Sequence, residues 1–153
     1  MQSPVLTSVT TGFCRVALSL SAANVAILAC SSSNIGPASF DGKLALGTWG
    51  GDNAGMLVSD TAMHLNVGCT YGDVSGRITV AADGSFDVAG SYMLRAYPVA
   101  FGPTVPARFS GQLDGVTATV TVTVDDTVQH KTVVEGPVTV KYGDQPRIGP
   151  CPI

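Results

Sequence analysis

The chain has 153 residues, a length that suits one ordinary domain. Apolar residues make up 45% of the chain, which is enough to bury a core and argues against a disordered protein. Only 12% of the residues are charged and the formal net charge is −3, so the composition predicts no nucleic-acid partner.

The first 29 residues have the features of a helical export signal. Arg15 is the only charged side chain among them, and an apolar run rich in Ala and Ser follows it from Val16 to Ala29. This run has the length and small-residue bias of the hydrophobic part of a secretory signal, and it is short and polar for a bilayer-spanning helix. A buried helix of the folded domain is the alternative interpretation.

The apolar run ends on Ile27-Leu28-Ala29-Cys30, which resembles a bacterial lipobox. In bacterial lipoproteins the signal is cleaved before the cysteine, and the diacylated thiol holds the protein to a membrane. The resemblance therefore implies lipidation of Cys30 and a place in the bacterial cell envelope, because two acyl chains give stable attachment. Ser31 is similar to the residue that follows the cysteine in outer-membrane lipoproteins, which lack Asp there. Secretion with cleavage at a different position is the alternative.

The domain organisation follows from these features. We predict a lipoprotein signal peptide at 1–29, a flexible tether at 30–40 and one folded domain at 41–153. The tether is predicted because Ser31-Ser-Ser-Asn-Ile-Gly-Pro37 has the small, polar composition of a spacer.

The four cysteines divide into two groups under this interpretation. Cys14 leaves with the signal and Cys30 carries lipid, so Cys69 and Cys151 remain as an even pair in an oxidising compartment. A disulfide between them is predicted, with a contribution of about 4 kcal/mol in the chain-entropy model. Two unrelated buried thiols are the alternative.

Strict alternation of apolar and polar residues in the domain predicts β-strands. In Val116–Val124, Val and Ala occupy one face and Thr occupies the other. Met63–Tyr71 alternates in the same way and is predicted as one strand, with Cys69 on its apolar face. A period of two is the pattern of a half-buried strand, and β-branched residues favour it.

Turn residues between alternating runs predict further strands. Asp83-Gly84 and Asp114-Gly115 are typical of type I′ hairpin turns. The remaining strands are predicted at Leu44–Trp49, Met56–Ser59, Arg77–Ala81, Ser85–Gly90, Tyr92–Tyr97, Ala107–Leu113, Thr127–Val134 and Val138–Tyr142. Such a series predicts an all-β fold: a single small antiparallel β-barrel of eight or nine strands, with a β-sandwich as the alternative.

Gly47-Thr48-Trp49, near the first strand of the domain, resembles the Gly-X-Trp of lipocalins and avidin-like barrels. In those families the tryptophan closes one end of an up-and-down barrel, often under a basic side chain from the last strand. The resemblance therefore implies a structural role for Trp49 at a barrel end, with Lys141 or Arg147 above it.

The sequence contains few residues arranged for catalysis. His64 and His130 are both predicted on strands, and neither has the spacing of a metal ligand. No Gly-X-Ser-X-Gly elbow is present, and most carboxylates fall at turns. We therefore predict no enzymatic activity, no metal site and no cofactor.

Recognition is predicted in the proline-containing loop that follows Tyr97, because long loops carry binding residues in such folds. Tyr97, Phe101 and Arg108 are the candidate recognition residues. The predicted function is that of a lipid-anchored envelope barrel with a binding or structural role, whose partner is a protein or a small molecule. A small periplasmic protease inhibitor and a small-molecule-binding, calycin-like barrel are the alternatives, and the second requires an open interior.

Overall fold

The computed structural model describes residues 39–40, 42–94 and 102–151, and all the regular structure in these ranges is β-strand. The predicted signal helix and the tether up to residue 38 lie outside the described residues. The strands are β1 (Ser39–Phe40), β2 (Lys43–Leu44), β3 (Gly47–Gly51), β4 (Ala54–Val58), β5 (Ala62–Val67), β6 (Thr70–Ser75), β7 (Ser85–Met93), β8 (Thr104–Asp114), β9 (Thr117–Asp126) and β10 (Lys131–Tyr142).

Strands β3 to β10 form a closed antiparallel barrel of eight strands. Each strand pairs with the next one along the chain, and β10 returns to pair with β3, which is the up-and-down arrangement. The predicted all-β barrel is confirmed, and closure of the sheet excludes the sandwich. The closing seam is short: only Lys141 with Gly50 and Tyr142 with Trp49 are in register between β10 and β3.

The predicted strand Met63–Tyr71 is wrong, because the chain turns back within it. Residues Gly68 and Cys69 form the turn between β5 and β6, with Gly68 at a φ of 55°. A two-residue turn preserves the alternating pattern in the sequence, so periodicity alone does not reveal it. As a result Tyr71 pairs with Asn66 on the outer face of the barrel.

In two places the sequence predicts an interruption between two strands where the structure has one continuous strand. β7 continues through Gly90, and β10 continues across Gly136 and Pro137, where the pairing register with β9 shifts between Glu135 and Val138. A β-bulge accommodates these two residues, which on sequence alone end a strand.

The segment 77–81 and the turn types also differ from expectation. Instead of forming a strand, this segment packs beside β2: Leu44 donates its N–H to the carbonyl of Ile78, and Val80 donates to Gly42. In both Asp-Gly pairs only the glycine has a positive φ, so neither is a type I′ turn.

The interior of the barrel is filled by side chains. Trp49, Tyr92 and Phe109 are its largest fully buried members, and the alternating stretch of β9 is confirmed because its apolar residues point inward. The buried apolar positions of β9 are Ala118, Val120, Val122 and Val124, and Asp126 at its end is buried as well. Leu44, Ala45, Ile78 and Val80 close the end at which β3 begins and β6 ends.

Candidate functional site

The chain does not stop at the end of the barrel: residues 143–151, here called the strap, run back along the outer face of β3 and β4. Gly50 and Gly55 are cross-strand partners on that face. A Cβ on Gly50 would collide with the backbone of Gln145, and one on Gly55 would lie 2.6 Å from the Pro146 ring. The two glycines therefore provide the space in which the strap lies.

Backbone hydrogen bonds hold the middle of the strap beside the turn between β3 and β4. Arg147 donates its N–H to the Gly51 carbonyl at 3.0 Å, and its own carbonyl accepts the Asn53 N–H at 2.9 Å. Near this turn the strap runs parallel to β3, with Arg147 paired to Asp52.

An ion pair adds to this contact. The Nε of Arg147 lies 2.6 Å from Oδ1 of Asp52. The hydrogen bond from Arg147 lowers the pKa of Asp52, and the positive charge of Arg147 adds a smaller effect in the same direction. The same contact raises the pKa of Arg147. Both side chains are exposed, so solvent screens the pair and it serves mainly to set the position of the strap.

The predicted cysteine pair ends the strap. Sγ of Cys151 lies 2.11 Å from Sγ of Cys69, with a Cα–Cα distance of 5.6 Å, so the two residues are at disulfide distance. Cys69 belongs to the turn between β5 and β6. In this turn Gly68 donates its N–H to the carbonyl of Asn53 at 2.7 Å. The strap therefore begins beside the seam, crosses β3 and β4 and is covalently attached beyond them.

An open groove of about 540 Å³ lies between the strap and β10. Its lining combines polar and apolar surface and carries charges of both signs. The lining residues are Gly50, Gly51, Asp52, Asn53, Thr117, Pro137, Val138, Thr139, Lys141, Asp144 and Arg147. An open groove with charged groups of both signs and no aromatic side chains suits a polar partner surface better than an apolar small molecule.

Trp49 lies in the core, with Tyr142 of β10 at its ring. Its Nε1 donates to the Ala45 carbonyl at 3.2 Å, and the Tyr142 ring meets it edge-on at a centroid distance of 5.2 Å. Tyr142 therefore occupies the place on the last strand that the resemblance assigned to a basic residue. Lys141 projects outward, and Arg147 is engaged with Asp52.

The candidate recognition residues fall in different places. Tyr97 and Phe101 lie outside the described residues. Arg108 lies within β8 rather than in a loop, and its Nε is 2.6 Å from Oδ1 of Asp87 on β7. The ion pair crosses two neighbouring strands on the outer surface.

The two histidines are separated by the fold. Nδ1 of His64 lies 2.7 Å from Oδ1 of Asp73, beside the ring of Tyr71, on the convex outer face of the barrel. The prediction that His130 lies on a strand is wrong, because this residue lies in the turn before β10. Within the described ranges, no three His, Cys, Asp or Glu side chains converge as metal ligands.

Inside the barrel, a chain of two hydrogen bonds satisfies the buried hydroxyl of Tyr92. Thr70 Oγ1 donates to the Val67 carbonyl at 2.8 Å, so the Tyr92 hydroxyl, 2.7 Å from Oγ1, is the donor to Thr70. Burial raises the pKa of Tyr92 to about 12, and the charge of Glu135 acts in the same direction. The tyrosine is neutral at physiological pH and serves packing.

The sequence interpretation identified the disulfide but missed the strap to which it belongs. Gly50 and Gly55 are the residues that make the strap possible, and neither has a positive φ that a turn requires. Two interior glycines on neighbouring strands were the available signal, because glycine in a strand often marks a close backbone approach.

Searches against family models, curated proteins and solved structures found no match for this chain. A helix long and apolar enough to span a bilayer is absent from the part of the chain that the structure describes.

Proposed function

We propose that the protein is an exported lipoprotein of the bacterial cell envelope, anchored through Cys30, whose barrel has a non-enzymatic binding or structural role. The single observation that carries this proposal is the placement of Cys69 and Cys151 at disulfide distance. Stable disulfides belong to oxidising compartments, so the pair supports export independently of the lipobox resemblance.

The filled interior supports a role on the outer surface. The core is a cluster of buried apolar side chains, with Trp49 and Phe109 both fully buried in it. Large side chains inside a small barrel disfavour the calycin-like alternative, which requires an open interior. The strapped outer face and its charged groove offer a surface to a protein or another polymer of the envelope.

The anchor is tested with two matched variants of the full chain. Cys30→Ala is expected to move the protein from the membrane fraction to the soluble fraction, because it removes the lipidated thiol. Cys14→Ala, which changes the other cysteine of the leading segment, is expected to leave membrane retention unchanged. Intact mass spectrometry measures the result directly: the native product should begin at Cys30 and carry two or more acyl chains. A native product that begins at Met1 without lipid contradicts the proposal.

A further inference from the structure

β10 extends well beyond its short contact with β3, which closes the barrel. Its pairing with β9 runs from Lys131 to Lys141, whereas its pairing with β3 is confined to Lys141 and Tyr142. Among the described residues, the opposite edge of β10 between 131 and 135 has no strand partner. Such an edge presents free N–H and C=O groups to an incoming strand.

The hairpin that carries this edge is held in shape at its tip. Oδ1 of Asp126 accepts hydrogen bonds from the N–H groups of Val128 and Gln129, at 3.1 and 3.0 Å. The edge is therefore a defined strand. Outward-facing Val134 is 59% exposed, the largest exposure among the large hydrophobic side chains described.

We propose that the edge Lys131–Glu135 pairs with the same edge of a second copy of this chain, antiparallel about Val133, to form a two-fold symmetric dimer. In this register Lys131 of each copy lies opposite Glu135 of the other, and Val133 lies opposite itself. Residues directly opposite across an antiparallel pair share a face, so both opposite-charge pairs form on one side of the new sheet.

The charge pattern selects this partner and this direction. A lysine and a glutamate on an edge strand normally discourage docking. Here they lie four residues apart with opposite signs, and neither forms an ion pair with another described residue. They complement each other only when the strand meets an antiparallel copy, because parallel pairing in register sets like charges against each other.

The same edge limits the assembly to two copies. Pro137 lacks an N–H group and the bulge at Gly136 shifts the register, so the available edge ends there. The proposed contact uses the same edge of both copies, and an interface between identical edges is closed. Five residue pairs bury little area, so the dimer is weak and its population depends on concentration.

Charge reversal tests the proposal on the full chain purified in detergent, by sedimentation equilibrium over a series of concentrations. Lys131→Glu and Glu135→Lys each place like charges opposite one another in both 131–135 pairs of the dimer. Each variant is therefore expected to weaken association about tenfold. The double variant Lys131→Glu/Glu135→Lys restores opposite charges and is expected to regain wild-type association. Lys141→Glu, on the same strand but at the seam, is the control and should associate normally.

The register is tested separately by cross-linking. Val133→Cys places a thiol opposite its own copy, so a short bis-maleimide should join two chains, whereas Thr139→Cys on the same strand should not be joined. Thermal melts confirm that each variant is folded. A wild-type chain that is monomeric throughout the series, a dimer indifferent to Lys131→Glu, or a double variant that fails to recover association overturns the proposal. None of these results bears on the anchor at Cys30, which membrane fractionation tests independently.

Discussion

Replacing both Cys69 and Cys151 with serine removes the covalent end of the strap and leaves the rest of the barrel chemically unchanged. The two residues are 82 positions apart in the sequence, and the bond joins the strap to the turn between β5 and β6. Serine is close to cysteine in size but forms no bridge, and the double replacement leaves no free thiol in the described domain. The perturbation therefore acts chiefly through the connectivity of the chain.

The expected loss of stability follows from the size of the closed loop. For a loop of about 80 residues, the chain-entropy model assigns the cross-link about 4.5 kcal/mol at 25 °C, because the unfolded chain loses conformational freedom when the loop is closed. For a domain of this size, 1 kcal/mol shifts the melting midpoint by about 4 °C. We therefore expect the double variant to melt about 15–20 °C below the oxidised protein.

Urea unfolding with and without a dithiol reductant separates connectivity from packing. Reductant is expected to lower the free energy of unfolding of the wild-type protein to that of the double variant, and to leave the variant unaffected. The reasoning is refuted if the variant is less stable than the wild type by the same amount when both are reduced. In that case the two sulfur atoms stabilise the fold by packing rather than by closing the loop.

Two further changes test the strap and the core. Gly55→Val places a side chain against the ring of Pro146 and is expected to cost about 1–3 kcal/mol in urea unfolding. Leu57→Val on the exposed face of the same strand should cost less than about 1 kcal/mol, and equal losses would show that the strap does not occupy the glycine surface. The pKa of Tyr92 is about 12 in the folded protein, whereas the pKa of this side chain is about 10 in the unfolded chain. The unfolded state therefore releases this proton first, and stability should fall between pH 10 and 12 by about 2–3 kcal/mol more in the wild type than in Tyr92→Phe. Identical pH profiles by circular dichroism would contradict the burial of this hydroxyl.

Several features of the fold were predictable because they depend on local patterns. The alternation in Val116–Val124 shows which side of β9 is buried, since neighbouring side chains of a strand point to opposite faces. The even pair Cys69 and Cys151 identified the disulfide. The prediction of Met63–Tyr71 as one strand failed because a two-residue turn leaves the alternation intact across Gly68.

The strap was not predictable, because its determinants are distant in the sequence. Arg147 binds the turn at Asp52 and Asn53, and Pro146 lies over Gly55, contacts that span about ninety residues. The ring contact between Tyr142 and Trp49 was not predictable either. The resemblance of Gly47-Thr48-Trp49 to other barrels implied a basic side chain at that place.

By itself the sequence determined that this chain has a β domain, which face of β9 is buried and which cysteines remain to pair, because side-chain alternation and composition are local properties. Only the tertiary structure decided that the sheet closes on itself with two residue pairs and that the strap crosses the seam side of the barrel. It also decided that one edge of β10 between 131 and 135 has no partner strand among the described residues. Those outcomes depend on strand lengths and on the packing of segments far apart in the chain, and no local pattern records them.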